Sequence, residues 1–406
     1  MSTRIVIVGG GLAAATAAEE LRARRHSGSI DLVTAEQHRP YQRPPLSKGY
    51  LAGKEGLDAV YAHPDGWEAQ HDIALHVGNP AVRIAEGSVE LADGAVLPFD
   101  RLLLATGAQP RRLAVPGGDA HGLHVLRTLD DADRLRAALS AGGRRVVLVG
   151  AGWIGLELAA AARGYDNEVT VVSPDPIPLV KAVGPEMGSM FRGLHEQHGV
   201  EFLLGEAVTG IDTDESGAAS GVITDRRSVP ADVVIVGIGA VPDTSLAETA
   251  GLEIDGGVLV DEHLRTSAPA IYAAGDVANA FHPVLGARLR SEHWANAIAG
   301  GKVAGANMLG GDAVLDDIPY FYTDQYDLGM EYSGYASSAD EAELVIRGDL
   351  EAREFVAFWV ADGRVVAGMN VNVWEVNDQV QRLIRDRVAV DRARLADAGV
   401  DLREIA

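Results

Sequence analysis

Short apolar runs separated by small-residue or amphipathic stretches recur along this chain, and that alternation predicts a parallel sheet covered by helices. Ile5–Val8 is a run of four apolar residues, the pattern of a strand buried on both faces. An alanine-rich helix runs on through Leu21, and Ile30–Thr34 reads as the next strand. The same order returns later, with a strand at Arg145–Val149, a small-residue helix and a strand at Glu168–Val172. Between the two copies lie short strands around Ala74–Val77 and Ser88–Leu91, the strand Arg101–Ala105, and a charged helix over Asp130–Leu139. After the second copy come strands near Glu201–Leu204, Gly221–Thr224 and Val233–Val236, a small apolar strand from Ile271, and a helix over Arg288–Ala304. From Ile318 the pattern changes: tyrosines crowd the chain. Strands then follow at Glu343–Arg347, Phe355–Val360 and Val365–Val373, and a helix at Asn377–Arg385.

What joins each first strand to its helix carries the chemistry. Gly9, Gly11 and Ala14 stand in the spacing G-x-G-x-x-A, with Leu12 and Ala13 inside the loop. Such a turn brings backbone N–H groups and the positive end of a helix dipole to a pyrophosphate. Glu36 follows 22 residues after Ala14, where an acid holds an adenine ribose. The second copy, Gly150, Gly152, Ile154 and Gly155, is a complete G-x-G-x-x-G with Glu157 two residues on. The copies lie 141 residues apart. An internal duplication is far more specific than one fingerprint, and it implies two bound dinucleotides. In the second copy Ser173 stands where an acid would mark NAD; no arginine for an NADP phosphate is present, and Asp175 and Lys181 are the nearest charges. The balance favours NADH, with NADPH possible.

Other stretches read as ligand loops or domain crossings. His38–Lys48 holds three prolines, which make a stiff, shaped loop able to present Arg43 and Lys48 to a cofactor. Strand ends at Thr106-Gly107 and Gly275-Asp276 place backbone and a carboxylate near a ligand. The segments Gln109–Gly122 and Gly237–Pro242, which includes Gly239, are the crossings. His293 and Trp294 sit near the start of the later helix.

Composition narrows the class. With 406 residues, two or three domains are expected. There is no cysteine, which removes disulfides, thiolate metal sites and a redox dithiol; no metal is expected. A net charge of −23 argues against nucleic acid as a partner. No apolar run reaches membrane-spanning length and no secretory leader precedes the first strand, so the cytoplasm is the expected location and no membrane partner is expected.

The ordered set VIVGGGLA, HRPYQRPPLSK, LLLATGAQPR, LRTLDDA, VVLVGAGWIGLELA, IYAAGDVA, SEHWANA and YFYTDQYDLG resembles the FAD-containing ferredoxin reductases of bacterial oxygenase systems, the group of putidaredoxin, rhodocoxin and biphenyl dioxygenase reductases. The resemblance implies an α/β, glutathione-reductase-like fold: two Rossmann-type dinucleotide-binding domains plus a small C-terminal α+β domain. FAD would lie in residues 1–112 and 243–318, NAD(P)H in 113–242, and the small domain in 319–406. It implies FAD contacts at Ala13, Glu36, Lys48, Val82, Arg127, Asp276 and Trp294, with Glu157 facing Lys48 across the flavin. Since hydride transfer needs no side-chain acid or base, Lys48 and Glu157 are then tuning residues that order the loop and bias the flavin, or else a purely structural salt bridge. Electrons would pass from NADH through FAD, one at a time, to a two-iron two-sulfur ferredoxin that feeds a haem monooxygenase or Rieske oxygenase. Lys302, Arg288 and Arg290, or Arg382, Arg385, Arg387, Arg392 and Arg394, are candidate docking cations. This chain departs from many relatives at Ala35, at Ser173 and at Tyr322, which follows Phe321 where an aromatic Phe-Trp pair is common. Two other functions stay open: reduction of a small organic acceptor of the monodehydroascorbate or quinone type, and redox sensing of the kind performed by apoptosis-inducing factor.

Overall fold

In the computed structural model, which describes residues 3–335 and 342–405, the chain divides into two compact units. One runs to Pro44 and adds Gly56–Gln109 and Ala240–Pro319; the other takes Pro45–Glu55, Pro110–Gly239 and the chain from Tyr320 onward.

The first unit is built on a five-stranded parallel sheet in the order Ile271–Ala273, Arg101–Leu104, Ile5–Val8, Ile30–Val33, Ile73–His76. Its central strand is wholly buried, which is why its four residues are all apolar. Val8 is in register with both Val33 and Leu104, so three strands end together where Gly9 begins. The helix Leu12–Ala23 packs against the helix Trp294–Met308 through small residues: a Cβ at Gly301 would stand 2.6 Å from the Ala13 carbonyl oxygen. The later helix therefore starts six residues after the position expected from sequence. Arg288 belongs instead to the strand Ala287–Leu289, where its guanidinium donates to the backbone carbonyls of Val260 (2.7 Å) and Asn279 (3.1 Å).

The second unit holds a three-stranded antiparallel sheet, Val208–Thr213, Ala219–Thr224 and Ser228–Pro230, and two five-stranded sheets. One is parallel, in the order Val200–Leu204, Glu168–Ser173, Arg145–Val149, Val233–Val236, Leu123–His124. Beside it the helix Leu129–Leu139 opens on a capping box, with Thr128 and Asp131 each accepting from the other's backbone N–H. The other sheet is antiparallel, in the order Tyr320–Gln325, Leu328–Gly334, Arg364–Val371, Glu354–Ala361, Glu343–Asp349. The helix Asn377–Asp386 lies on it and buries Val380, Leu383 and Ile384. A long element, Val180–Gln197, was not foreseen. Gly184 at φ +78°, followed by Pro185, divides it into two helical pieces and hides its periodicity. Its Met187 and Phe191 pack in the same core as Leu328, Met330 and Trp359. Among the described residues no helix is long and apolar enough to cross a membrane.

Candidate functional site

The two glycine loops have the same construction. Gly9 (φ +144°) and Gly150 (φ +111°) turn the chain in a region that favours glycine. A Cβ there would stand 2.0 Å from the Ala105 carbonyl oxygen and 2.3 Å from that of Gly237, respectively. The middle glycines behave differently. Around the Cβ position of Gly11, and equally of Gly152, no atom of the described residues beyond the adjoining chain lies within 4 Å. Both are helix N-caps in extended backbone, and neither helix carries an acid in its first turn. Each loop is therefore an open cradle of backbone N–H groups at a positive helix end, which fits the pyrophosphate of a dinucleotide. Gly155 closes the second loop: its Cβ would lie 2.3 Å from the Gly150 carbonyl oxygen. Ala14, fully buried, fills that position in the first. Leu12 and Ile154 begin their helices in the first turn, Ile154 exposed.

In the first unit, polar groups gather beyond the Gly9 loop. The Tyr41 hydroxyl donates to Glu36 Oε2 at 2.5 Å, and the Arg43 guanidinium donates to the Tyr41 oxygen at 2.9 Å and lies 3.4 Å from Glu36 Oε1. Burial opposes the Arg43 charge, but Tyr41, Glu36 and Asp276 outweigh it and hold its pKa above the ordinary value. Asp276 stands in the short turn Gly275–Val277, where Gly275 adopts φ +76° against Ala13. His293 caps the helix that begins at Trp294; burial pushes it down to about 4 despite Asp276 and Glu292 nearby. The Trp294 indole N–H donates to Gln42 Oε1 at 3.3 Å. Val82 lies at a bulge, skipped by the ladder between Ala81 and Arg83, and is half exposed. Such a position leaves backbone groups outside the ladder. The Thr106 hydroxyl is committed to the Asp243 carbonyl at 2.7 Å, and the Gly107 carbonyl accepts from the Asp243 N–H.

In the second unit, Glu157 is 4 % exposed and accepts from three side chains: Lys48 Nζ at 2.7 Å, Thr323 Oγ1 at 2.6 Å, and the Ser47 hydroxyl. Lys48 also lies 5.3 Å from the centre of the Tyr322 ring. Lys48 and Glu157 are thus bonded directly; the arrangement with a flavin between them is corrected by that distance. Burial raises the Tyr322 hydroxyl and the Asp324 carboxyl above their usual values. Arg127 belongs to this unit, its backbone N–H donating to Asp131. Gly239 (φ +97°) accepts from the Arg111 N–H. Beyond the second fingerprint, the Ser173 hydroxyl accepts from the Asp175 N–H, and the Asp175 carboxylate pairs with Lys181 at 2.8 Å.

Sequence patterns missed Ser47, Thr323 and Tyr41 as site residues. Polar Thr323 and Gln325, two apart on the strand Tyr320–Gln325, were the available signal, because they share one face and both are buried. Several candidate docking cations are used internally. Arg290 pairs with Glu292 and Arg392 with Glu343, while Arg382 and Arg394 donate to the carbonyls of Leu402 and Glu404. Lys302 is exposed.

Residues 3–301 match the family described as pyridine nucleotide-disulphide oxidoreductase, and residues 320–406 match the reductase C-terminal domain. The chain is 39% identical to the 5,5'-dehydrodivanillate O-demethylase ferredoxin reductase subunit of a Sphingobium species, over 98% of this chain and 97% of that one. It is 39% identical to the ferredoxin–NAD(+) reductase component of the anthranilate 1,2-dioxygenase system of Burkholderia cepacia, over 98% of each. A solved structure, the covalent putidaredoxin reductase–putidaredoxin complex, superposes with a TM-score of 0.94 at 34% identity, covering 99% of this chain and 97% of that one.

Proposed function

Because the chain belongs to the pyridine nucleotide-disulphide oxidoreductase family, in the branch of ferredoxin reductases that serve oxygenase systems, we propose that it carries electrons from NADH through FAD to a small iron–sulfur ferredoxin. The flavin and nicotinamide, when bound, supply the redox chemistry: a hydride is taken up as a pair and electrons are released singly. The residues of this chain bind, orient and place charge. The Gly9–Ala14 loop, Glu36, Val82, Asp276 and Trp294 would hold FAD in the first unit. The Gly150–Gly155 loop would hold NADH in the second. Lys48 and Glu157 order the turn Pro44–Ser47 and fix a buried charge pair, without serving as acid or base.

The observation that carries this reading is a pair of open phosphate cradles in a chain with no cysteine. Two dinucleotides permit hydride transfer between them. Without a dithiol to receive the electrons, an external acceptor must take them. A ferredoxin is the acceptor in the relatives' own descriptions, which belong to an O-demethylase and a dioxygenase system, and we infer that it is of the two-iron kind with an oxygenase downstream. NADH is favoured because no arginine closely follows the second strand to meet a 2′-phosphate, the nearest base in sequence, Lys181, being paired with Asp175. The cytoplasm, where NADH is regenerated, is the compartment that suits this cycle.

The test is steady-state reduction of candidate two-iron ferredoxins with NADH and with NADPH. The proposal expects fast turnover with NADH and at least one such ferredoxin. Turnover of quinones or ascorbyl radical with no ferredoxin reduction would replace the acceptor, and a strong preference for NADPH would replace the donor.

A further inference from the structure

A line of buried polar side chains continues from Glu157 into the second unit and ends at a histidine that the proposed cycle does not use. Thr323, Gln325 and His195 are 0 %, 1 % and 0 % exposed. Thr323 Oγ1 lies 2.6 Å from Glu157 Oε1, Gln325 Nε2 lies 3.1 Å from Thr323 Oγ1, and His195 Nε2 lies 2.8 Å from Gln325 Oε1. The Tyr326 hydroxyl stands 3.3 Å from His195 Nδ1. Three elements meet here: the helix Trp153–Gly164 supplies Glu157, the strand Tyr320–Gln325 supplies Thr323 and Gln325, and the helix Val180–Gln197 supplies His195.

The direction of every bond follows from the carboxylate. An ionised Glu157, already facing Lys48, only accepts, so Thr323 must spend its single hydroxyl proton on it. Thr323 then offers only lone pairs to Gln325, which turns the amide N–H toward Thr323 and the amide oxygen toward His195. His195 must therefore carry its proton on Nε2 and leave Nδ1 to accept from Tyr326. Burial keeps this ring neutral by lowering its pKa to about 4. All the donors point one way, and the sequence of bonds ends on one carboxylate oxygen.

We propose that Thr323, Gln325 and His195 are positioning residues for Glu157, forming a one-way donor chain that fixes its carboxylate in the Lys48-facing orientation. This deepens the proposed function and rests on it only where flavin reduction is the readout. Removing the Thr323 hydroxyl leaves Glu157 Oε1 held by Lys48 alone and Gln325 with an unmet donor. A serine there keeps the donor.

Two measurements on the FAD-loaded enzyme test this. Histidine-selective nitrogen-15 NMR of the unmodified protein, with His195 assigned by through-space peaks to the Tyr326 and Phe202 rings, should show the neutral Nε2–H tautomer. The Nδ1–H tautomer would overturn the chain whatever the enzyme's reaction. Stopped-flow reduction by NADH should be slowed about tenfold in Thr323→Val with KM little changed, the loss of one charge-assisted hydrogen bond, and restored to near the parent rate in Thr323→Ser. Thr323→Val at the parent rate while Glu157→Gln is slow would overturn the positioning role. If Glu157→Gln also reduces at the parent rate, the reading of the Lys48–Glu157 pair fails, and the tautomer still decides the chain.

Discussion

Gly152→Ala separates folding from cofactor binding within the second fingerprint. Gly152 has φ −85° and ψ −176°, extended backbone that alanine adopts freely, and its new Cβ would meet no atom of the described residues beyond the adjoining chain within 4 Å. Reduced freedom of the unfolded chain favours the variant by about 0.4–1 kcal/mol. Alanine is a poorer helix cap than glycine, and the loss is of similar size. Net stability should stay within about 0.5 kcal/mol of the parent. The methyl group would nevertheless occupy the cradle where a pyrophosphate approaches the backbone. An overpacked contact of that kind costs about 1–3 kcal/mol, which weakens NADH binding roughly 5- to 150-fold. The assay pairs denaturant unfolding with the KM for NADH, checked at unchanged flavin content. An unaltered KM would refute the placement of the nicotinamide cofactor on this loop. The comparison variant is Gly155→Ala, whose Cβ would stand 2.3 Å from the Gly150 carbonyl oxygen; it should unfold at lower denaturant whether or not a cofactor is present.

Other variants probe the charge pair and the buried rings. Lys48→Met leaves the buried Glu157 carboxyl with only two hydroxyl donors, and should cost about 3 kcal/mol in unfolding free energy; replacing Glu157 as well, in Lys48→Met/Glu157→Leu, should recover most of that loss. His195 and His293 are both held near 4 by burial, below the unfolded value of 6.5. Their folded forms bind fewer protons than the unfolded chain, so stability is complete above about pH 6.5 and falls as pH drops toward 4, by about 2 kcal/mol for each ring at pH 5. Denaturant titrations at pH 7 and pH 5 measure this, and equal midpoints would contradict it. Gly11→Ala should fold but lose FAD on gel filtration, for the same steric reason as Gly152→Ala.

The parts of the fold that were legible in the sequence are those where backbone geometry dictates residue type. Gly9 and Gly150 adopt positive φ with a carbonyl against the missing Cβ, so the glycine spacing marks both turns. Ile5–Val8 is apolar at every position because both sheet faces are covered. The helix Val180–Gln197 escaped notice because Gly184 and Pro185 interrupt its period, although tertiary packing of Met187 and Phe191 holds both pieces. Lys48 and Glu157 are legible as a pair, either facing each other across a flavin or as a structural salt bridge, and the direct contact selects the second geometry. Ser47 and Thr323, 110 and 166 residues from Glu157 in sequence, complete that carboxylate's shell only through the tertiary fold. No local pattern encodes such a meeting.

Electron stoichiometry in a single anaerobic turnover tests the central claim most directly. The purified yellow protein is mixed with one equivalent of NADH and an excess of the two-iron ferredoxin it reduces best. Bleaching of the flavin followed by reduction of two ferredoxins per NADH is the predicted result. A protein that holds no flavin, or whose NADH-reduced flavin passes no electrons to any such ferredoxin, would contradict the account.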